Sequence, residues 1–401
     1  SCVRFNRNRE QRLPEVLSKR GAVYFATDRQ DLLVNWDDRR DRSTIPVKAV
    51  CSVDAETGFV YRYDVGVDDI SKSDRVHQES LDNGDIDRAF LFRKYPHLFI
   101  PADMSGERRI NGYIQQERQK AKEENTAITE EELTYLEATL RPDVELPSFH
   151  LTKGTGLPNN CLLLREDYQL YAHYLSLEKI FSKTDKVINF ADQESGLRAA
   201  FMSSFANKIL RNDAHLFYIT FEKGVPQWDR EAAKQRTTER IKETVKKNGC
   251  SEDIARITLC IDAIKKYTSP VGHWRDLWGD HPLEMMTEVN KRFSHQTYKP
   301  DQDDTKIGYY LSKASLHAVD NYFMRVRRRV SQLERGLPTA SADRRLWYGK
   351  NFYRPDMVKK SSTILMTYLN YCATNNKKEK TPAEKLGIAK GPVRLKDILE
   401  F

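Results

Sequence analysis

Three aspartates, Asp54, Asp192 and Asp320, sit where a folded chain can bring carboxylates together. Asp54 ends the β-rich run IPVKAVCSVD, Asp192 ends VINFAD, and Asp320 falls inside the helix-like segment SLHAVDNYFMRVRRRV. Adjacent parallel strands would set the first two acids side by side, and a helix packed on that edge would project the third between them. Carboxylates a few ångströms apart cannot all stay ionised cheaply unless a cation offsets their charge. Mg²⁺ suits such a place, because it binds few carboxylates, keeps several waters and takes phosphate oxygens in its remaining positions; Mn²⁺ is a possible substitute. Two such ions would activate a water or a 3′-hydroxyl and stabilise the leaving oxygen of an in-line displacement. The implied chemistry is phosphoryl transfer on nucleic acid.

Spacing alone leaves a plainer reading open, in which Asp54 starts a turn, Asp192 caps the next helix and Asp320 is a surface residue paired with Arg327. Glu334 is a fallback for the third acid, but about 21 Å of helix separates it from Asp320 at 1.5 Å per residue. Glu284 and Glu288 are further alternatives if HPLEMMTEVNKRF is the catalytic helix. Beyond Asp320 runs RVRRR, 325–329. On a helix, Arg327 and Arg328 lie near the face of Asp320, while Arg325 and Arg329 point elsewhere. All four, with His317, are candidates for phosphate contacts that position DNA without reading its sequence, although a solvated helical face would look the same.

The elements that must position these residues can be traced along the chain. Residues 1–44 form an arginine-rich arm or edge-strand region, and 45–66 a hairpin with Gly58 in its turn. A polar block over about 69–146 contains two helices within 112–140. REDYQLYAHYLSLEKIFSK, 165–183, is an amphipathic helix. KVINFA is a buried strand, 194–211 a helix and 215–223 another strand. Residues 226–312 form a mostly helical insertion carrying Trp228, Trp274 and Trp278, which suit a core but could stack on an unpaired base. A helix over 315–336 stops at Gly336 and Pro338, another spans 355–372, and 373–401 is a basic, loop-like tail. The expected core therefore comprises 45–225 and 313–372.

Composition narrows the class. With 39% hydrophobic and 31% charged residues, the chain can bury a core beneath a charged surface. Its net charge of +8 is modest, so the clustering of basic residues says more about polyanion binding than the total does. Six widely spaced cysteines without a C-x-x-C pair suggest neither a zinc ribbon nor a disulfide framework, and favour a reducing compartment. No apolar stretch approaches the roughly 18 residues of a membrane span, and the start does not read as a signal peptide. The chain begins at Ser1 without methionine, which leaves room for an upstream segment. Gly154 and Gly156 in KGTGLPNN lack a preceding strand and the G-K-[ST] ending of a phosphate loop.

Four stretches in order, SVDAETGFVY, FADQESGLRAAF, VDNYFMRVRRRVSQLERG and KTPAEKLGIAKGPVRLKDILEF, resemble bacterial insertion-sequence transposases of the DDE type, whose catalytic core is like that of retroviral integrases. The resemblance covers roughly 45–66, 165–223 and 315–401. It implies an α/β, RNase H-like mixed sheet flanked by helices, with a largely helical insertion before the last catalytic helix. It also implies Asp54, Asp192 and Asp320 as metal-binding catalytic acids, although the third is usually glutamate. The implied activity is cleavage at transposon ends and strand transfer into target DNA by a homodimer or larger assembly in the bacterial cytoplasm. A nuclease without strand transfer, or a decayed DNA-binding derivative, would share the same core.

Overall fold

The computed structural model describes residues 1–35, 44–68, 73–85, 88–100, 162–266, 277–299, 301–334, 337–338, 346–347, 350–374 and 379–401. They form an α/β protein around a mixed seven-stranded sheet. Its strands are β1 (Ala22–Asn35), β2 (Thr44–Asp54), β3 (Val60–Val65), β4 (Lys186–Ala191), β5 (Ala214–Glu222), β6 (Gly279–Asp280) and β7 (Val289–His295), in the spatial order β3-β2-β1-β4-β5-β7-β6. The first three are antiparallel neighbours. From β1 outward, β4 and β5 are parallel, and β7 returns antiparallel on β5.

Period-two alternation divides the strands between two cores. On one face, Tyr24, Ala26, Leu32 and Val34 of β1 join Val47, Ala49, Cys51 and Val53 of β2, with Ile188, Phe190, Phe217 and Phe293. They pack against helices α5 (Glu252–Lys265), α6 (Asp304–Ser312) and α7 (His317–Arg329). On the other face, Val23, Phe25, Val50, Tyr61, Val187, Ala191 and Leu216 meet α1 (Cys2–Glu10), α2 (Glu166–Ile180) and α3 (Ser195–Ser204). Each large apolar side chain so buried contributes about 1.5–3 kcal/mol. Helix α4 (Gln227–Asn248) lies in the insertion, and α8 (Pro355–Tyr371) packs along β3. No helix among the described residues is long and apolar enough to cross a membrane.

Several sequence expectations change here. The region 1–44 is not a peripheral arm, because it supplies β1, the strand between β2 and β4. The insertion is not wholly helical: HPLEMMTEVNKRF becomes a tight turn and then β7, whose burial alternates from Val289 to Phe293 with Lys291 on the inward side. The helix over 315–336 ends at Arg329, where Val330 turns extended. The tail carries short helices at Pro382–Leu386 and Leu395–Leu399, and the Phe401 ring sits edge-on to Phe5, with centroids 5.4 Å apart. The helices expected within 112–140, and Gly154 and Gly156, lie outside the described residues.

Three histidines are buried beside β5 to β7. His215 Nδ1 lies 3.3 Å from His295 Nε2, and His281 Nε2 lies 3.1 Å from the Leu311 carbonyl. Burial pushes His215 down to about 4 and the other two well below the usual histidine range. A histidine held neutral in the fold has its full stability above its unfolded pKa, and that stability is lost progressively as pH falls from about 6.5 to about 4. Thermal unfolding between pH 7.5 and 5 should therefore show a falling Tm, with roughly 2 kcal/mol lost at pH 5 through His215 alone. A Tm flat across that range would contradict this burial.

Candidate active site

The parallel register between β1 and β4 decides which acids meet. Thr27 pairs with Ala191, so Asp28 and Asp192 are the next residues on neighbouring strands, about 4.8 Å apart across the backbone. Asp28 shares the parity of Tyr24 and Ala26, and Asp192 that of Ile188 and Phe190, which places both on the α7 side of the sheet. Helix α7 packs across β1 and carries Asp320 in its first turn.

The three carboxylates feel one another. Burial, then the charges of Asp192, Asp320 and Glu194, push Asp28 up to about 7 against the pull of the Arg29 backbone N–H, which donates to its Oδ1 at 2.7 Å. Asp320 is also raised, by burial first, then by Glu288 and Asp192, while Lys223 and His317 pull the other way. Lys223 Nζ lies 3.8 Å from Asp192 Oδ2. Asp192 does not cap the next helix; its Oδ1 accepts from the Gln193 N–H at 2.8 Å, and Glu194 stands at the N-cap of α3.

Asp54, expected as the first acid, belongs elsewhere. It pairs with Phe25, three residues or about 10 Å before Asp28 along β1, and its side chain points to the opposite core. There its Oδ2 accepts from Arg20 Nη1 at 2.9 Å and from Tyr61 Oη at 2.7 Å. Its Oδ1 accepts from the Thr57 N–H and hydroxyl, both at 2.8 Å, and from the Glu56 N–H at 3.2 Å. This is a turn-forming aspartate, the plainer of its two sequence readings. Asp28 takes its place in the cluster.

On the far side of the sheet Arg29 steadies the chain beyond Asp192. Its Nε donates to Glu194 Oε2 at 2.6 Å, its Nη1 bonds Glu166 at the start of α2, and Tyr218 Oη donates to the Glu194 carbonyl at 2.6 Å. Adjacent residues of β1 thus serve the two faces, Asp28 in the cluster and Arg29 as a clamp on the strand-to-helix connection that carries Asp192.

The other candidates separate. His317 is exposed in the first turn of α7; Arg327 is half-buried on the face of Asp320, and Arg328 and Arg329 are exposed. Arg325 and His317 line a cleft of about 470 Å³ with Lys313, Lys380 and Lys385, on the flank of α7 turned from Asp320. Glu284 is engaged by Arg236 and by the Asn290 N–H at 2.9 Å, and Glu288 is buried against Lys291. Glu334 lies past the end of α7. Trp228 is 70% exposed, against a core reading, whereas Trp278 stacks on Tyr218.

Ser52, His173 and Asp64 make a hydrogen-bonded relay that no sequence pattern suggested: Ser52 Oγ to His173 Nε2 is 2.8 Å, and His173 Nδ1 to Asp64 Oδ2 is 2.6 Å. The order matches an acyl-transfer triad, but Ser52 is wholly buried and its hydroxyl is also bonded to Thr27 Oγ1 at 2.7 Å. It is a strut between β2 and α2.

Comparison with known proteins finds no matching family model, no matching curated protein and no matching solved structure. Among the described residues no three His, Cys, Asp or Glu side chains stand close enough to hold a metal ion as they are. The donor set of Asp28, Asp192 and Asp320 is nonetheless all hard oxygen, the chemistry that Mg²⁺ and Mn²⁺ select.

Gathering these charges costs stability. Asp28→Asn should raise stability at pH 8 without divalent cation by on the order of 1–3 kcal/mol, since the ionised carboxylate is disfavoured there. The gain should shrink as pH falls through about 7 and vanish only near pH 3, where Asp28 is protonated in the unfolded chain as well. Chemical denaturation across that pH range reads this directly, and an unstabilised variant at pH 8 would contradict the repulsion.

Proposed function

We propose that the protein is a metal-dependent polynucleotidyl transferase with an RNase H-like core, acting as a DDE-type transposase on DNA. The supporting observation is that Asp28 and Asp192 follow the last parallel pair of β1 and β4 on the α7 side of the sheet, and that α7, packed on β1, carries Asp320 in its first turn. The sheet itself supports the reading, with an antiparallel three-stranded unit continued by two parallel strands. In this reading the three carboxylates hold two Mg²⁺ ions. Bound there, the metal would lower the pKa of the attacking water or 3′-hydroxyl and stabilise the leaving oxygen.

The chain's own residues bind and orient. Lys223 stands beside Asp192 and is placed to meet the non-bridging oxygens of a scissile phosphate, while His317, exposed in the first turn of α7, would contact DNA entering from the adjoining cleft. Arg327 and Arg328, two turns further along the same side of α7, would hold backbone phosphates beyond it, contacts that fix register without reading bases. Arg325 and Arg329 lie on the other flank of α7 and would engage a different stretch of DNA. A pair of transposon ends calls for at least two copies of the chain.

Wild-type protein with Mg²⁺ or Mn²⁺ should nick DNA at the cognate ends and join the freed 3′-ends to a target plasmid. Asp28→Asn and Asp192→Asn should each reduce both steps by at least about a thousandfold while leaving DNA binding within a few fold. Asp54→Asn should retain metal-dependent cleavage in whatever fraction of protein stays folded. Full activity of Asp28→Asn would overturn the assignment, and cut but unjoined DNA would reduce it to a nuclease. A non-catalytic DNA-binding protein is the second reading, favoured by the lack of a ready three-ligand group among the described residues; it predicts DNA binding with no metal bound at millimolar concentration.

A further inference from the structure

The hairpin β6–β7 grips the connection that launches α7. His281 accepts from the Leu283 N–H on Nδ1 at 3.1 Å, which leaves its Nε2 to donate to the Leu311 carbonyl. The Lys291 ammonium donates to the Ala314 carbonyl. One oxygen of Glu288 accepts from Ser315 Oγ at 2.6 Å and from the Leu316 N–H at 2.9 Å, and the other lies 2.7 Å from Lys291 Nζ. Glu288 and Lys291 are 1% and 3% exposed.

Helix α7 begins with Leu316 at its N-cap, whose own side chain cannot accept from the first turn; Ser315 Oγ accepts from the His317 N–H at 3.0 Å, and Glu288 holds Ser315 and the Leu316 N–H in turn. Leu316 also offers the carbonyl that takes the first helical bond, and the donor is the amide of Asp320 at 3.0 Å. The contacts therefore run in series: the oxygen of Glu288 holds the amide of Leu316, and the carbonyl of Leu316 holds the amide of Asp320.

We propose that Glu288 and Lys291 are positioning residues for the third carboxylate, with the buried pair on the inserted hairpin anchoring the Ser315–Leu316 start of α7 and fixing where Asp320 sits relative to Asp28 and Asp192. This rests on reading Asp320 as one of the metal-holding acids. A buried ion pair is a poor source of stability, because well-packed apolar replacements of both partners are often neutral or stabilising. Its orientation of Leu316 is what an apolar pair cannot reproduce.

Two double variants separate position from stability. Glu288→Met with Lys291→Met removes charge and anchor together; Glu288→Gln with Lys291→Met removes charge but keeps an oxygen for the Leu316 N–H. Both should fold with a Tm close to that of the wild type. The first should lose at least tenfold in cleavage and need severalfold more Mg²⁺, and the second should stay within about threefold of wild type in both. Hydrogen exchange at the amides of 317–320 supplies a readout independent of activity: faster in the Met/Met variant, near wild type in the Gln/Met variant. Wild-type cleavage and exchange in the Met/Met variant would overturn the proposal. If wild-type protein cleaves nothing, the exchange pattern still decides the positioning claim while the catalytic reading fails separately. Should the Met/Met variant not fold, Glu288→Leu with Lys291→Met is the second apolar pair, expected to quicken exchange at 317–320; unchanged exchange there would overturn the proposal as well.

Discussion

Carboxylates that raise one another's proton affinity drift apart unless a scaffold prevents it, and here the scaffold is the parallel register of β1 on β4. Pairing Thr27 with Ala191 makes Asp28 and Asp192 neighbours on one face. A slip of one residue along either strand would turn one of the two acids into the opposite core. The register is fixed by burial on both faces, since Val23 and Phe25 serve one core while Tyr24 and Ala26 serve the other. The acids are thus placed by the apolar residues of the two cores.

Around that register the supporting contacts come from both sides of the sheet. Arg29 ties the connection after Asp192 to the starts of two helices, and Glu288 ties the start of α7 to the inserted hairpin. Each uses a charge buried at some cost to fix the position of another charge. Burial first, and then repulsion from the neighbouring acids, keeps Asp28 protonated up to about pH 7. A divalent cation would relieve that repulsion, so binding and ionisation of the site are coupled.

Much of the architecture was legible in the sequence, and the misses share a cause. KVINFA, the 45–66 hairpin and the 165–183 helix carry clean apolar periods and formed as expected. On that helix Leu170, Tyr174, Leu177 and Ile180 are buried, while Tyr168, Tyr171 and Leu175 remain partly exposed. β1 was hidden because AVYFATDRQDLLVN places Asp28, Arg29 and Asp31 in mid-strand, which lowers its apolar signal at the point where it becomes functional. β7 was hidden because Lys291 occupies an inward position, where it pairs with Glu288 three residues before it. Asp54 attracted attention as an acid ending an apolar run before T-G, but that pattern also describes an aspartate that accepts hydrogen bonds from its own turn. Asp192 follows a strand and Asp320 falls at a helix start, as the sequence expects, because those two positions leave little choice. The first acid depended on strand order, which no local pattern records.

Anomalous scattering from crystals soaked in millimolar Mn²⁺ tests the central claim most directly. A metal peak bridged by the carboxylates of Asp28 and Asp192, with Asp320 at its edge, is the result this account predicts. A peak at Asp54, or no peak among the three acids at saturating Mn²⁺, would contradict it.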